Sequence, residues 1–276
     1  ECSIEDSGAA SVLAHGKVRA TLRRSSFTRN AGSASVVGIG SSDLLIDEVS
    51  IAGSQSGGIF FQETASAAIS RTRITGCKLA ALDVATTEPI QADEITATGN
   101  ASAGVLVRNR AKLLLRGSQL EDSAEGHVWV LDTGILAMAD CRLARGALGL
   151  WVQEGGAAVV HASRFEHHTG IAVDVQPRSN VELSFVHIEH AGGDGALVGE
   201  GASLRMSAST VNGAGGAGVR VDTTGSAVLE SVTLTGCAGG EVVGDATRTE
   251  SELSTEDQAA EAARAFTRAV RGRLIG

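Results

Sequence analysis

The chain has 276 residues, of which 43% are hydrophobic and 3% aromatic, and its formal net charge at pH 7 is −9. The excess of acidic side chains disfavours nucleic acid as a ligand, because proteins that bind nucleic acid carry a basic patch or stripe. No apolar run approaches the roughly 18 residues of a membrane-spanning helix, so the sequence predicts no membrane span.

An apolar residue recurs about every 23 positions along most of the chain. This residue, called the anchor below, is assigned to Ile4, Phe27, Val49, Ile74, Ile95, Leu120, Leu143, Phe165, Ile188, Val211 and Leu234. A period this regular is typical of a solenoid, in which each repeat packs on its neighbours. The residue immediately before each anchor is polar and is expected to face solvent.

Apolar residues also stand five, thirteen and fifteen positions before the anchors, as Val130 and Val128 do before Leu143. Positions two apart point to the same side of a β-strand, so each repeat is predicted to contain at least two short strands that share a core. No segment before residue 254 keeps apolar residues at three-and-four spacing, which excludes a helical repeat.

This pattern resembles the right-handed parallel β-helix of the pectin-lyase-like superfamily. The resemblance covers residues 2 to 243 and implies a fold, but no catalytic residue. It predicts an all-β right-handed parallel β-helix of about 11 coils, each of ~23 residues, over residues 1–243. A linker over 244–253 and a C-terminal amphipathic α-helix over 254–276, acting as a cap, complete the predicted organisation.

The first residues, Glu1 to Ile4, enter in the middle of a predicted coil, with no amphipathic helix or polar cap before them. A bare first coil exposes the edges of its strands, which favours aggregation. We therefore expect the native polypeptide to be longer, or this end to be covered by a partner.

Charged residues of alternating sign fall in the outward column beside the anchors on three adjacent coils. They are Glu48, Arg73 and Glu94. The pattern predicts either a ladder of ion pairs or a solvated surface whose charges happen to alternate. Exposed pairs of this kind contribute about 0 to 1 kcal/mol, and we expect the solvated surface.

A second outward column, fourteen positions before the anchors, carries large apolar groups. It predicts a binding surface formed by Phe60, Leu106, Trp129, Trp151 and Leu197, with Ala81, Asp174 and Arg220 on the intervening or following coils. Because a line of exposed apolar groups is usually covered, we expect a loop or helix of the same chain, or a homo-oligomer, to cover it. Another protein, or a sugar stacked on tryptophan, is the alternative.

Polar residues cluster just after the anchors of the central coils. The cluster contains Glu166-His167-His168 and His187-Ile188-Glu189-His190. His167 and His190 occupy the same position on adjacent coils, so their backbones are expected to lie about 4.8 Å apart. Two imidazoles and a carboxylate at that distance make His167 and His190 candidate ligands of a transition metal.

The same cluster offers candidates for catalysis. Histidine titrates near neutral pH, so His167, His190, Glu166 and Glu189 could supply an acid and a base, and Arg164 could hold an anionic sugar. The other interpretation is a solvated row of turn residues without chemistry, which we favour. No cofactor is predicted.

The four cysteines are expected to be free thiols. Every pair is separated by at least three predicted coils, or about 14 Å, which exceeds the ~7 Å between Cα atoms that a disulfide tolerates. The cysteines therefore do not indicate the cellular compartment.

The last predicted element is an amphipathic helix that begins after Ser254, with Asp257 three residues later in a capping position. Its apolar stripe consists of Ala259, Ala263, Phe266, Val270 and Leu274. Such a stripe must pack on another surface. We expect the helix to plug the open core beyond the last coil, and the alternative is that it folds back on the apolar column.

Two classes of function fit the sequence. We favour a non-catalytic repeat scaffold of a bacterial exported or surface protein, acting by binding, adhesion or assembly, because no recognised catalytic motif is present. The alternative is a carbohydrate-active enzyme, a polysaccharide lyase or glycoside hydrolase, with its site near His167 and His190. Coils of at most 25 residues leave little chain for the walls of a substrate groove, although fold alone does not decide function.

Overall fold

The computed structural model describes residues 1–251 and 254–275. Its strands form three parallel sheets of eleven strands each, and every coil contributes one strand to each sheet. The chain therefore folds as a solenoid of about 11 coils of ~23 residues, as the sequence predicts. The prediction of at least two strands in each coil is met by three.

The first sheet contains the anchors. Its strands are β1 (Ser3–Glu5), β4 (Ser26–Thr28), β7 (Ser50–Ala52), β10 (Arg73–Thr75), β13 (Thr96–Thr98), β16 (Gln119–Glu121), β19 (Arg142–Ala144), β22 (Arg164–Glu166), β25 (His187–Glu189), β28 (Thr210–Asn212) and β31 (Thr233–Thr235). Each strand has only three residues, so one side chain, the anchor, points into the core.

The second sheet carries the apolar outward column. Its strands are β2 (Val12–His15), β5 (Val36–Ile39), β8 (Ile59–Glu63), β11 (Leu82–Thr86), β14 (Ala103–Val107), β17 (Gly126–Val130), β20 (Leu150–Val152), β23 (Val173–Val175), β26 (Ala196–Val198), β29 (Val219–Val221) and β32 (Val242–Val243). Val128 and Val130 are fully buried on either side of the half-buried Trp129, which is the alternation expected of a strand.

The third sheet closes each coil. Its strands are β3 (Arg19–Arg23), β6 (Asp43–Asp47), β9 (Ser66–Ser70), β12 (Pro89–Asp93), β15 (Lys112–Arg116), β18 (Ile135–Ala139), β21 (Ala157–His161), β24 (Asn180–Ser184), β27 (Ser203–Ser207), β30 (Ser226–Glu230) and β33 (Ala246–Thr249). The last of these lies within 244–253, the stretch predicted as a linker, because the chain completes one more turn on β30 before the helix.

Two of the eleven anchors were assigned wrongly from the sequence. Strand β10 pairs Ile74 with Ile51 on one side and with Ala97 on the other, so Ile51 and Ala97 are the anchors of their coils. Val49 and Ile95, which lie two residues earlier, are buried in the preceding turn. In the second of these coils the larger Ile95 was mistaken for Ala97, the residue on the strand, whereas in the first Val49 is smaller than Ile51 and size does not explain the error.

The corrected register rules out the ladder of ion pairs, which was the alternative to the expected solvated surface. Ser50, Arg73 and Thr96 share the outward column of the first sheet, whereas Glu48 and Glu94 lie in the turn before it. Both glutamates have left-handed backbone conformations, and Glu48 contacts Arg71 at 3.4 Å. This pair is exposed and contributes at most about 1 kcal/mol.

Buried hydroxyl groups connect successive coils at the turn between the third and first sheets. Ser163 Oγ donates a hydrogen bond to the carbonyl of His161 at 2.9 Å and accepts one from the amide of Cys141 at 3.1 Å. These bonds satisfy buried backbone groups that no strand pairs. Cys141 and the other three cysteines are free.

The C-terminal helix, α1 (Thr255–Ala269), continues into a π-helical turn (Val270–Ile275). Ser254 caps it as predicted, because its hydroxyl accepts a hydrogen bond from the amide of Asp257 at 3.2 Å. The buried side of the helix includes Phe266 and Val270, but Ala262 lies there in place of the exposed Ala263. The side chain of Leu274 lies outside the described residues.

The helix packs on the outer face of the third sheet. Phe266 and Val270 contact a small apolar cluster around Leu114 and Ala137, and the ring of Phe266 stacks on that of His161 at 5.8 Å. Both predicted destinations, the open end of the core and the Phe60 to Trp151 column, are therefore wrong. The reason is a patch of apolar side chains on the outside of β15, β18 and β21.

No helix within the described residues is both long and apolar enough to cross a membrane.

Candidate functional site

The polar cluster predicted from the sequence lies on the outer face of the first sheet. Arg142 stands between two carboxylates of neighbouring coils, since it contacts Glu121 on one side and Glu166 at 2.7 Å on the other. Arg145 donates hydrogen bonds to Asp122 at 2.8 Å and to Glu121 at 2.8 Å. These ion pairs occupy the carboxylate of Glu166, one of the predicted catalytic groups.

The arginine pairs also influence the acid groups beside them. The hydrogen bond from Arg145 lowers the pKa of Asp122 below its ordinary value. A general acid at neutral pH needs a raised pKa, so this carboxylate is held in the opposite, ionised form. The cluster therefore presents neutralised ion pairs at its Glu121 end.

The imidazoles of His167 and His190 lie next to each other, as the sequence predicts. Their ring centroids are 5.1 Å apart and the ring planes differ by only 11°. A metal ion shared by two histidines lies about 2.0–2.1 Å from both nitrogens and in the plane of both rings. Because the two rings are nearly parallel, their in-plane lone pairs point in parallel directions and do not converge on one ion. Among the described residues, no group of three His, Cys, Asp or Glu side chains has the geometry of a metal site.

The remaining predicted groups flank this stack. Arg164 lies in register between Arg142 and His187, is exposed, and takes part in none of the ion pairs found among the described residues. Glu189 is half-buried and lies in register with Glu166. The structure therefore brings Arg164, Glu166, His167, Glu189 and His190 together on two adjacent coils, in β22, in β25 and in the turns that follow them.

The predicted apolar column lies on the outer face of the second sheet. Trp129 pairs in register with Trp151 and with Leu106, which confirms that the three residues are neighbours on adjacent coils. The indole rings are 5.1 Å apart in an edge-to-face arrangement, with an angle of 84° between their planes. This contact is of a kind that stabilises aromatic pairs by about 0.5–1.5 kcal/mol beyond burial.

The fourth coil of this column carries an acid that the sequence analysis missed. Asp83, and not Ala81, lies in register between Phe60 and Leu106, because the anchor of that coil is Ala97. Arg108 donates two hydrogen bonds to Asp83, each of 3.0 Å. Burial raises the pKa of Asp83, and the hydrogen bonds from Arg108 oppose that shift.

The column also extends further towards the N-terminus than predicted. Leu13 pairs with Val37, and Val37 pairs with Phe60, so all three share the outer face. Leu13 is 60% exposed, whereas its neighbour Val37 is only 4% exposed. The guanidinium group of Arg108 lies 5.7 Å from the centre of the Phe60 ring.

Polar residues interrupt the column beyond Trp151. Asp174 is 7% exposed and accepts a hydrogen bond from Gln176 at 2.7 Å, and burial raises its pKa. Arg220 is held by two hydrogen bonds to Asp194, of 2.7 and 3.0 Å. Leu197 lies between Asp174 and Arg220, so this predicted binding residue is separated from the others.

Two buried histidines lie beneath the turn between the first and second sheets, and the sequence analysis did not identify them as a pair. His127 and His168 are 0% and 2% exposed, and their ring centroids are 5.2 Å apart. Gly146 and Gly149 leave room for the two rings, since a Cβ atom on either glycine would contact an imidazole nitrogen. A glycine at the neighbouring position of the adjacent coil is the sequence feature that could have indicated these buried histidines.

Burial keeps both imidazoles neutral. Removal from water lowers the pKa of His127 to about 4 and that of His168 to about 3. A charged imidazole in the core is destabilising, so both rings stay uncharged at neutral pH.

A groove of about 380 Å³ separates α1 from part of the third sheet, away from both predicted surfaces. Its walls include Phe185 and Phe266, and its floor includes Arg205 and Glu230, which form an ion pair of 3.2 Å. The groove exists because the helix contacts the sheet near β21 and leaves later strands uncovered.

Comparison with known proteins gives a family match. The model of the right handed beta helix region matches residues 1–107 and 80–238, which together cover most of the chain. No curated protein has a sequence that matches this one significantly.

A solved structure shares the fold at low identity. The A-module of the Azotobacter vinelandii mannuronan C-5 epimerase AlgE6 has a TM-score of 0.52 and 8% identity, over 90% of this chain and 87% of that one. The Agl-KA catalytic domain has a TM-score of 0.35 and 7% identity, over 82% of this chain and 62% of that one. The family model matches most of the chain, and the three stacked parallel sheets agree with it, so the chain is a member of the right-handed β-helix family.

Proposed function

We propose that this chain is a non-catalytic repeat scaffold that works by assembly, joining protein surfaces through the outer face of its second sheet. The observation that supports this proposal is the apolar column. Leu106, Trp129 and Trp151 stand in register on adjacent coils and are half-buried, while the helix of the chain packs on a different sheet.

Burial of these side chains in an interface provides the free energy for assembly. Each Å² of apolar surface removed from water contributes about 25 cal/mol, and tryptophan is enriched among the residues that dominate interface energies. The ion pairs along the column, Asp83 with Arg108 and Asp194 with Arg220, neutralise their own charges. A partner surface therefore does not need a net charge of opposite sign.

The test is the mass of the protein in solution, measured by light scattering over a range of concentrations. We expect wild-type protein to exceed the 28.0 kDa of one chain and the double variant Trp129→Ser/Trp151→Ser to remain at that mass. Circular dichroism controls for folding, because both indoles lie on the outer face of the second sheet and the substitutions leave its inward side chains, Val128, Val130 and Val152, unchanged. Equal masses for the two proteins would contradict the proposal.

A second candidate function is a carbohydrate-active enzyme, with its site on the outer face of the first sheet. The stacked, exposed His167 and His190 beside Arg164, Glu166 and Glu189 favour it, since imidazoles can transfer protons and arginine can hold an anion. A protein of the same fold, at 8% identity, is described as a mannuronan C-5 epimerase.

A screen of purified protein for lyase, hydrolase and epimerase activity on polysaccharides tests this second candidate. We expect any genuine turnover to fall by about 10² or more in His167→Ala or His190→Ala, as loss of an acid or base does. His187→Ala is the matched control. His187 lies on the same strand as Glu189, but its ring nitrogen Nδ1 is hydrogen-bonded to the hydroxyl of Thr210 at 2.9 Å. Turnover that survives all three substitutions would remove the first sheet from consideration.

A further inference from the structure

The side chain of His161 lies in the contact between α1 and the third sheet. His161 is the last residue of β21, and its ring stacks on that of Phe266 in the helix, with centroids 5.8 Å apart and ring planes that differ by 27°. Phe185, which follows β24, approaches the same imidazole edge-to-face at 6.0 Å. The helix therefore covers a side chain of the kind whose charge changes near neutral pH.

We propose that α1 is a pH-sensitive lid on the third sheet, which stays in place while His161 is neutral and is released when its imidazole is protonated. The device consists of a titratable ring on the sheet, an aromatic side chain on the helix and an apolar patch beneath the helix. It uses a different sheet from the assembly proposed above, so each proposal can be tested without the other.

The hydrogen bonds of His161 suit the neutral ring. Its Nδ1 is hydrogen-bonded to the hydroxyl of Ser184 at 3.0 Å. That hydroxyl donates to the carbonyl of Val160 at 3.5 Å, so Nδ1 is the donor of the shorter bond and Nε2 carries a lone pair. Protonation adds a second N–H, and Ser184 is the hydrogen-bond partner that the described residues supply to this ring. The charged ring therefore has one more donor than it has acceptors.

Burial also favours the neutral ring. Removal from water lowers the pKa of His161, and the negative charge of Asp140, in the turn after β18, opposes that shift. The other charged side chains of this region belong to neighbouring strands and to the helix and line the groove beside the stack: Glu182, Arg205, Glu230, Glu261 and Arg268. Asp140 therefore reduces the effect of burial but does not reverse it.

The direction of the pH dependence follows from proton linkage. In the released state the imidazole is in water and titrates near its ordinary pKa of about 6.5. Docking of the helix lowers that pKa, so the released state binds the proton more tightly and gains population as pH falls below about 6.5. Because one proton is involved, the ratio of docked to released helix falls by at most about tenfold per pH unit, until the lowered pKa is reached.

Release of the helix uncovers an apolar patch. Leu114, Ala137 and Val159 stand in register on β15, β18 and β21, and with the helix in place they are 8%, 3% and 6% exposed. The groove of about 380 Å³ has the helix as one wall, so it opens at the same time. The acid form therefore presents an apolar surface that the neutral form covers.

Hydrogen exchange of the α1 amides tests the proposal, when it is measured from about pH 7.5 to about pH 5 and corrected for the intrinsic pH dependence of exchange. We expect the protection of Thr255–Ala269 to fall below about pH 6.5 by up to about tenfold per unit. Amides of the first sheet report global unfolding and should stay more protected than the helix at each pH. Helix protection that is constant, or that rises because imidazolium is attracted to the ring of Phe266, would overturn the proposal.

A variant without the titration identifies the responsible group. His161→Gln keeps a hydrogen-bonding side chain next to Ser184, and we expect its helix protection to stay constant over this range. His187→Gln is the matched control, because His187 is also half-buried and hydrogen-bonded through Nδ1 to a hydroxyl, that of Thr210 at 2.9 Å, but lies on the first sheet. It should keep the wild-type dependence. The same dependence in His161→Gln would overturn the assignment to His161.

The titration of His161 itself, followed by NMR, covers the case in which His161→Gln detaches the helix at every pH. Since docking and protonation are linked, the pKa of His161 should be lower in the wild type than in Phe266→Ser, which lacks the stacked ring. Equal pKa values in the two proteins would contradict the proposal. None of these readouts depends on the mass of the protein in solution, so their failure leaves the proposed assembly untouched.

Discussion

His127 and His168 determine how the protein should respond to acid. Both are buried and neutral, with pKa values lowered by removal from water to about 4 and about 3. In the unfolded chain both histidines have pKa values near 6.5, so between pH 6.5 and these lowered values the unfolded chain binds more protons than the folded one. The free energy of unfolding should therefore fall by about 1.4 kcal/mol per pH unit for each residue as pH decreases from about 6.5 towards 4.

Denaturant unfolding at a series of pH values measures this slope. The double variant His127→Leu/His168→Leu should lose most of it, because leucine does not titrate. His190→Leu is the matched control, since it removes an imidazole from the surface instead of from the core. A double variant with the wild-type slope would show that other groups cause the acid sensitivity.

The individual residues of the apolar column show where sequence reasoning succeeds and fails. Trp129 and Trp151 were placed correctly, because their coils follow the repeat of 22 or 23 residues without ambiguity. Asp83 was missed because Ile95 is a more conspicuous apolar residue than Ala97, and choosing it shifts the coil by two positions. Side-chain size does not reveal which of two buried residues lies on the strand.

Among the elements, the C-terminal helix depends on a single aromatic contact. Phe266 stacks on His161 and packs against Leu114 and Ala137. We expect Phe266→Ser to detach α1 from the third sheet while the solenoid stays folded. The lost burial is worth about 1–3 kcal/mol, since Phe266 is half-buried and a short isolated helix is marginal in water.

Hydrogen exchange resolved along the sequence tests this expectation. Amides of Thr255–Ala269 should lose protection in Phe266→Ser, and the strands of the first two sheets should keep theirs. Ala263→Ser, on the exposed side of the helix, should leave protection unchanged. Simultaneous loss of protection in the helix and in all three sheets would mean that the helix is integral to the solenoid.

The existence of this helix could be predicted from the sequence, but not its destination. Ser254, the acidic first turn and the apolar stripe specify a helix through local interactions alone. The surface that receives the stripe depends on which other apolar groups are left outside the core. Those groups, Leu114 and Ala137, alternate with buried residues on strands of the third sheet, which the anchor pattern did not distinguish.

For the whole molecule, the solenoid could be predicted because its contacts repeat. Each coil packs on the next in the same way, so a period of about 23 residues specifies the architecture even when single anchors are wrong. The candidate surfaces are harder to predict, because outward side chains are not constrained by the core. Ion pairs such as that of Arg142 with Glu166 depend on side-chain conformations, which the alignment of the sequence repeats does not specify.

The central claim is that the outer face of the second sheet is covered in the working form of the protein. The only two tryptophans of the chain, Trp129 and Trp151, lie on that face, so intrinsic fluorescence reports on it alone. The direct measurement is the emission maximum and its quenching by acrylamide as the protein is diluted. We predict blue-shifted, protected emission at high concentration that becomes red-shifted and quenchable on dilution. Emission and quenching that do not depend on concentration would contradict the claim.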